Sequence, residues 1–145
     1  MTVFADASAL VKLYADESDS ASVAGLDPVV VSAVSRVEVP AALWRKVRTG
    51  ELTPDDARLL VAEFEADWFG DAQARPRFVA AAVTPRVLDD AAGLTGSHGL
   101  RAYDAVQLAS ARAATAADPG CDHFAAFDSA LRRAALVEGY VLVPT

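Results

Sequence analysis

Thr2-Val3-Phe4-Ala5-Asp6-Ala7-Ser8-Ala9-Leu10-Val11-Lys12-Leu13-Tyr14 changes its periodicity at a single acid. Residues 2–5 form a short apolar run rich in β-forming side chains, and the run stops at Asp6. Residues 8–14 then read as a helix, with Leu10, Val11 and Tyr14 on one side and Lys12 on the other. The same switch from strand to helix recurs along the chain. Residues 16–25 suit a second short helix closed by Gly25, and residues 28–31 are compact and β-branched, as a buried strand requires. Ser35 is placed to cap the next helix, whose apolar positions Val39, Leu43 and Val47 recur every four residues until Gly50. Thr53-Pro54-Asp55-Asp56 joins a capping hydroxyl, a proline at the first helical position and acids in the first turn. Leu60, Phe64 and Trp68 form the stripe of that helix and Gly70 closes it, so residues 35–70 predict an antiparallel helical hairpin.

Residues 78–83 read as a strand, and Thr84-Pro85 opens a helix running toward Gly96. Residues 100–117 form a long Ala-rich helix with Val106, Ala109 and Ala113 on one face. Residues 123–127 are a strand stopping at Asp128, residues 129–137 a helix, and residues 140–143 a last strand. Regular alternation implies a mostly parallel sheet with helices on both faces, in one domain spanning residues 1–145. Sites in such sheets gather at the carboxyl ends of the strands.

Composition narrows the chemistry. Hydrophobic residues make up 53% of the 145 and charged residues 23%, enough for one core and inconsistent with a disordered chain. One cysteine, Cys121, excludes an intramolecular disulfide and a cysteine zinc cage; it reads as a small buried thiol. The histidines are His98 and His123 alone, too few for a multi-histidine metal site. The N-terminal stretch lacks the pattern of a secretory signal, and no apolar run approaches the roughly 20 residues of a membrane span. The expectation is a soluble, cytoplasmic protein. Thirteen basic residues against 20 acidic ones give a net charge of −7, which argues against coating nucleic acid by bulk electrostatics.

Most of these acids sit at helix starts or on solvated faces. Four do not. Asp6 and Asp128 follow apolar strands, and Glu38 and Asp104 stand among apolar neighbours near the starts of buried-looking helices. Taken singly, Asp6 or Asp128 reads equally well as the N-cap of the following helix, and Glu38 or Asp104 as a buried acid paired with Arg36 or Arg101. Taken together in a parallel sheet, all four converge on one rim. Clustered carboxylates repel, and a hard divalent cation with oxygen ligands, Mg2+ or Mn2+, relieves them. Such a centre activates water and stabilises charge on a phosphoryl oxygen, which points to phosphodiester hydrolysis. A dinucleotide-binding turn, a P-loop and a serine–histidine pair are all missing.

Four stretches carry a resemblance: residues 3–14, Ser35-Arg36-Val37-Glu38, residues 99–109 around Tyr103-Asp104-Ala105, and Phe127-Asp128-Ser129-Ala130-Leu131. In order and spacing the chain resembles the PIN-domain ribonucleases, in particular the VapC toxins of bacterial type II toxin–antitoxin systems. The resemblance implies an α/β/α PIN sandwich and assigns Asp6, Glu38, Asp104 and Asp128 to the acidic quartet. Asp6 and Asp104 would be the direct metal ligands, with Glu38 and Asp128 completing the shell, often through water. Ser8 matches a hydroxyl that supports the first aspartate and approaches the scissile phosphate. The hairpin of residues 35–70 matches a clip used for dimerisation and antitoxin contact. Gln107 departs from the pattern, standing where many relatives carry His, and Ala126 stands where a Ser or Thr often precedes the last acid.

These expectations combine into an Mg2+-dependent endoribonuclease toxin, a homodimer restrained by a small VapB-like antitoxin. Its arginines, Arg36 and Arg101 foremost, would track the RNA backbone, with Arg45, Lys46 and Arg48 on the Arg36 helix. A catalytically silent scaffold that binds protein through the Leu60, Phe64 and Trp68 stripe is the alternative from another class. A third reading is a PIN nuclease in RNA processing unrelated to toxicity.

Overall fold

Side chains alternate across a strand, so a strand buried on both faces must be apolar at every position. Val3, Phe4 and Ala5 meet that demand, and in the computed structural model, which describes residues 1–15 and 20–145, they lie at the centre of the sheet. Strand β1 (Thr2–Ala5) pairs in parallel with β2 (Val29–Ser32) on one side and β4 (Cys121–Ala125) on the other. Strands β3 (Phe78–Ala81) and β5 (Val141–Val143) extend the two sides, giving the all-parallel order β3-β2-β1-β4-β5.

The helices divide between the two faces. Helices α1 (Ala7–Tyr14), α2 (Ser20–Ala24), α3 (Ser35–Arg48) and α4 (Pro54–Phe69) pack with Val3, Ala5, Val29, Val31 and Phe78. Helices α5 (Pro85–His98), α6 (Ala102–Ala117) and α7 (Ser129–Val137) pack with Phe4, Cys121 and Phe124. This is the α/β/α sandwich expected from the alternation. The chain steps outward from β1 to β2 and β3, then returns to the other side of β1 for β4. The strand order therefore reverses between β1 and β4, and the crevice at their carboxyl ends is the place for a site.

Local chemistry explains most of the element ends. Thr53 and Thr84 accept hydrogen bonds from Asp56 N and Val87 N, and a proline follows each. Gly70 ends α4 with φ 65 and ψ −172, where a Cβ would meet Ala74 O at 2.6 Å. Glycine is required there. Cys121 is a buried free thiol, as expected.

Some expectations are corrected. Ser35 does not cap α3; it is the first helical residue and fully buried, while Ser32 Oγ accepts from Val34 N at 3.3 Å. Strand β4 ends at Ala125, so Asp128 follows it after two further residues. On α6 the inward face is not Val106-Ala109-Ala113: residues 107–111 are all buried and Ala113 is exposed. The helix is enclosed on so many sides that no single stripe describes it. The short helix expected over residues 16–25 survives as α2; residues 16–19 lie outside the described residues.

The α4 stripe faces inward. Phe64 is fully buried, with Tyr14 edge-on at 5.6 Å and Trp68 and Phe78 at 5.6 and 6.4 Å, while Leu60 and Trp68 pack at its margin. That placement removes the stripe as a free docking surface. Phe64→Ala should cost roughly 3–5 kcal/mol of stability, read as a lowered midpoint in urea unfolding with the slope unchanged.

Candidate active site

Four carboxylates reach the crevice, each from the start of a helix. Asp6 is the N-cap of α1, and Asp128 is the N-cap of α7. Glu38 lies in the first turn of α3 and Asp104 in the first turn of α6. Partial positive charge at those helix ends tempers the repulsion among them. For Asp6 and Asp128 the capping role and the place in the site therefore coexist in the same side chains.

Asp6 is 3% exposed. Its Oδ1 accepts from Ala9 N at 2.9 Å and from Ser8 Oγ at 2.7 Å. Ser8 Oγ in turn accepts from Phe127 N at 3.0 Å. One hydroxyl thus ties the end of β1 to the segment that carries Asp128. Asp128 Oδ2 accepts from Leu131 N at 2.9 Å. Ala126 is fully buried among the apolar residues around α7, so Asp128 is held by its cap and by the Ser8 link.

Glu38 and Asp104 are half-buried. Glu38 Oε1 accepts from Gln107 Nε2 at 2.9 Å. Burial pushes the Glu38 carboxyl above its usual range, opposed by the Gln107 bond and reinforced by Asp104. Burial likewise raises Asp104, with Asp128 adding to the effect and Arg101 opposing it. Asp6 is raised furthest, to about 7, by burial first; its bonds from Ser8 and Ala9 only partly offset this, and Asp104 and Glu38 add to it.

All four acids line one cavity of about 390 Å³, together with Ser8, Val11, Ala42, Arg45, Arg101 and Tyr103. Arg101 is expected from the sequence and stands there, 86% exposed on its side chain, 3.8 Å from Asp104 and 3.9 Å from Asp128. Arg36 is not brought to the cavity. Its guanidinium bonds Glu65 at 3.0 Å and lies over the Phe69 ring at 5.3 Å, bracing the hairpin. Arg45, about two and a half turns further along α3, takes the cavity position. Lys46 lies 4.0 Å from Glu51, and Arg48 is exposed near the end of the helix. Tyr103 is 62% exposed at the rim and was not singled out from the sequence. Its neighbour Asp104 was; an aromatic beside an acid carries no periodic signal.

The donor set suits a hard cation: carboxylate oxygens, no sulfur, no imidazole. Among the described residues no three acidic, histidine or cysteine side chains close into a cage. The quartet surrounds the cavity and does not collapse onto a point, as mutual repulsion dictates.

Residues 3–137 match the PIN domain family. The chain belongs to that family. The PIN domain is 38% identical over 122 residues to Ribonuclease VapC45 of Mycobacterium tuberculosis (strain CDC 1551 / Oshkosh), covering 81% of this chain and 78% of that protein. The same figures hold for Ribonuclease VapC49 of Mycobacterium tuberculosis (strain ATCC 25618 / H37Rv). The acids in the crevice of this PIN domain have a thermodynamic signature. A carboxyl whose native pKa is raised from 3.8 to about 7 favours the folded state below the lower value and loses that contribution as pH rises through the upper one. Asp6→Asn, which still caps α1, should therefore raise the Tm of metal-free protein by about 5–10 °C near pH 8. Thermal melts should show the difference vanishing toward about pH 4.

Proposed function

We propose that this PIN domain is an Mg2+-dependent endoribonuclease, the toxin of a type II toxin–antitoxin pair, working in the cytoplasm. The convergence of Asp6, Glu38, Asp104 and Asp128 on one cavity at the β1/β4 switch point carries the reading. The two mycobacterial relatives, both named as ribonucleases of the VapC series, support RNA as substrate. Among the described residues no helix is long and apolar enough to cross a membrane.

Asp6 and Asp104 would hold the ion, with Glu38 and Asp128 beside it. When bound, Mg2+ (or Mn2+ in its place) lowers the pKa of a water and stabilises charge on the phosphoryl oxygen. The protein's own groups do the rest. Glu38, with one oxygen held by Gln107 and a pKa raised by burial, is suited to accept a proton from an attacking water. Ser8 keeps Asp6 and the Phe127–Asp128 segment in register. Arg45 and Arg101 line the cavity beside the acids and would contact phosphates of the bound strand. Holding RNA at a few points is what a chain of net charge −7 can do.

The hairpin of α3 and α4 leaves Val37, Leu59 and Phe69 exposed, a surface that suits a second copy of the chain or a small VapB-like antitoxin. With Phe64 buried and Leu60 and Trp68 packed beside it, the silent scaffold loses the stripe it would bind through.

Purified protein should cleave single-stranded RNA with Mg2+ or Mn2+. EDTA should abolish cleavage, and Asp104→Asn should lower it by at least about 100-fold; cleavage that persists in both would overturn the mechanism. The double variant Arg45→Ala/Arg101→Ala should raise KM and flatten the salt dependence of log(kcat/KM) by about 1.4 units of slope, because two phosphate contacts to a single strand are lost.

A further inference from the structure

Gln107 is only 1% exposed, yet it is polar and lies next to the cavity. It stands on α6 three residues after Asp104 and three before Ser110, so all three share a face. Its Nε2 donates to Ser35 Oγ at 3.0 Å and to Glu38 Oε1 at 2.9 Å, two residues that are themselves three apart on α3. A single amide therefore spans the first turns of the two helices that carry Glu38 and Asp104. Its own carbonyl oxygen is buried with no partner among the described residues.

That orphaned oxygen is informative. Turning the amide over would give the oxygen the Ser35 hydroxyl as a donor, but would set it against a carboxylate that only accepts. The orientation found holds Glu38 at the expense of an unsatisfied acceptor, a cost that an apolar side chain at this position would not carry. Nor does α6 need Gln107 to dock. Ser110 Oγ donates to Ser32 Oγ at 2.9 Å, and Ala105, Leu108 and Ala109 are buried in the core of that layer.

We infer that Gln107 is a positioning residue, fixing the Glu38 carboxylate relative to Asp104 so that both face the same cation and phosphate. The inference rests on the metal-dependent nuclease reading of the cavity. Gln107→Leu removes the bridge and the orphaned oxygen together, and leaves the buried Ser35 hydroxyl without its donor. With one unpaired group exchanged for another, the full chain carrying it should melt within about 5 °C of wild type. Its affinity for Mn2+ in calorimetry without RNA should fall about 10–100-fold, and kcat on single-stranded RNA by a similar factor, with KM within about twofold. Gln107→His, which restores a ring N–H donor, should recover most of both losses.

Mn2+ affinity and kcat equal to wild type in Gln107→Leu would overturn the inference while leaving the nuclease reading intact. So would a large fall in Tm that tracks the lost activity, because the role would then be structural. Wild-type protein that binds Mn2+ but cuts no RNA would remove the nuclease reading, and the calorimetric comparison would still decide the role of Gln107. Wild type that does neither sinks both.

Discussion

A carboxylate in a nearly water-free position is the constraint around which this molecule is arranged. Asp6 stands at the end of the central strand, where two neighbouring strands and the helices above and below exclude solvent. Burial opposes its charge, and only directed donors or a cation make the ionised form tolerable. The chain supplies donors from the turn that follows: the Ala9 amide and the Ser8 hydroxyl. Since both come from the start of α1, strand, acid and helix form one unit whose geometry leaves little freedom. Three further acids enter the same crevice, and each does so where a helix begins. A parallel sheet makes this recurrence natural, because every strand delivers its chain to the same edge and every following helix starts there.

Two cross-links then set the shape of the rim. Ser8 joins the β1 end to the segment before α7, across 119 residues of sequence. Gln107 joins α6 to α3, across 69. Neither is a strong interaction in isolation, since a hydrogen bond contributes only about 1 kcal/mol net. Their effect is geometric: each connects two chain segments that carry acids, so the four carboxylates are held apart at fixed spacing while still sharing one cavity. The arginines play a different part. Arg101 reaches over Asp104 and Asp128 from solvent, whereas Arg36 is committed to Glu65 and Phe69 and braces the hairpin.

Much of this was legible in the sequence wherever the cause is local. Thr53-Pro54 and Thr84-Pro85 start helices because the capping hydroxyl and the fixed proline act within one turn. The span of α7 and the alternation of strands and helices were readable for similar reasons, and the four acids stood out because they interrupt apolar surroundings. What could not be read depends on distant partners. Ser35 looks like a cap until Gln107, 72 residues on, is found bonded to it. Arg36 looks like a phosphate contact until Glu65 and Phe69 fold back beside it. The face of α6 defeated a periodic reading because a helix enclosed on most sides has no polar half to define the other. Arg45 and Tyr103 gain their place in the cavity only from the packing of whole helices, which no local pattern encodes.

The link between β1 and β4 also dictates when the cavity can exist during folding. The first acid follows β1 directly, but its neighbour across the switch point, Asp128, comes only after β4. Until residues 121–125 have paired beside residues 2–5, β1 has one open edge and Ser8 lacks the Phe127 amide it accepts from. Closing so long a loop is slow compared with forming helices. The four-acid crevice is thus a non-local feature, complete only when strands far apart in sequence lie side by side.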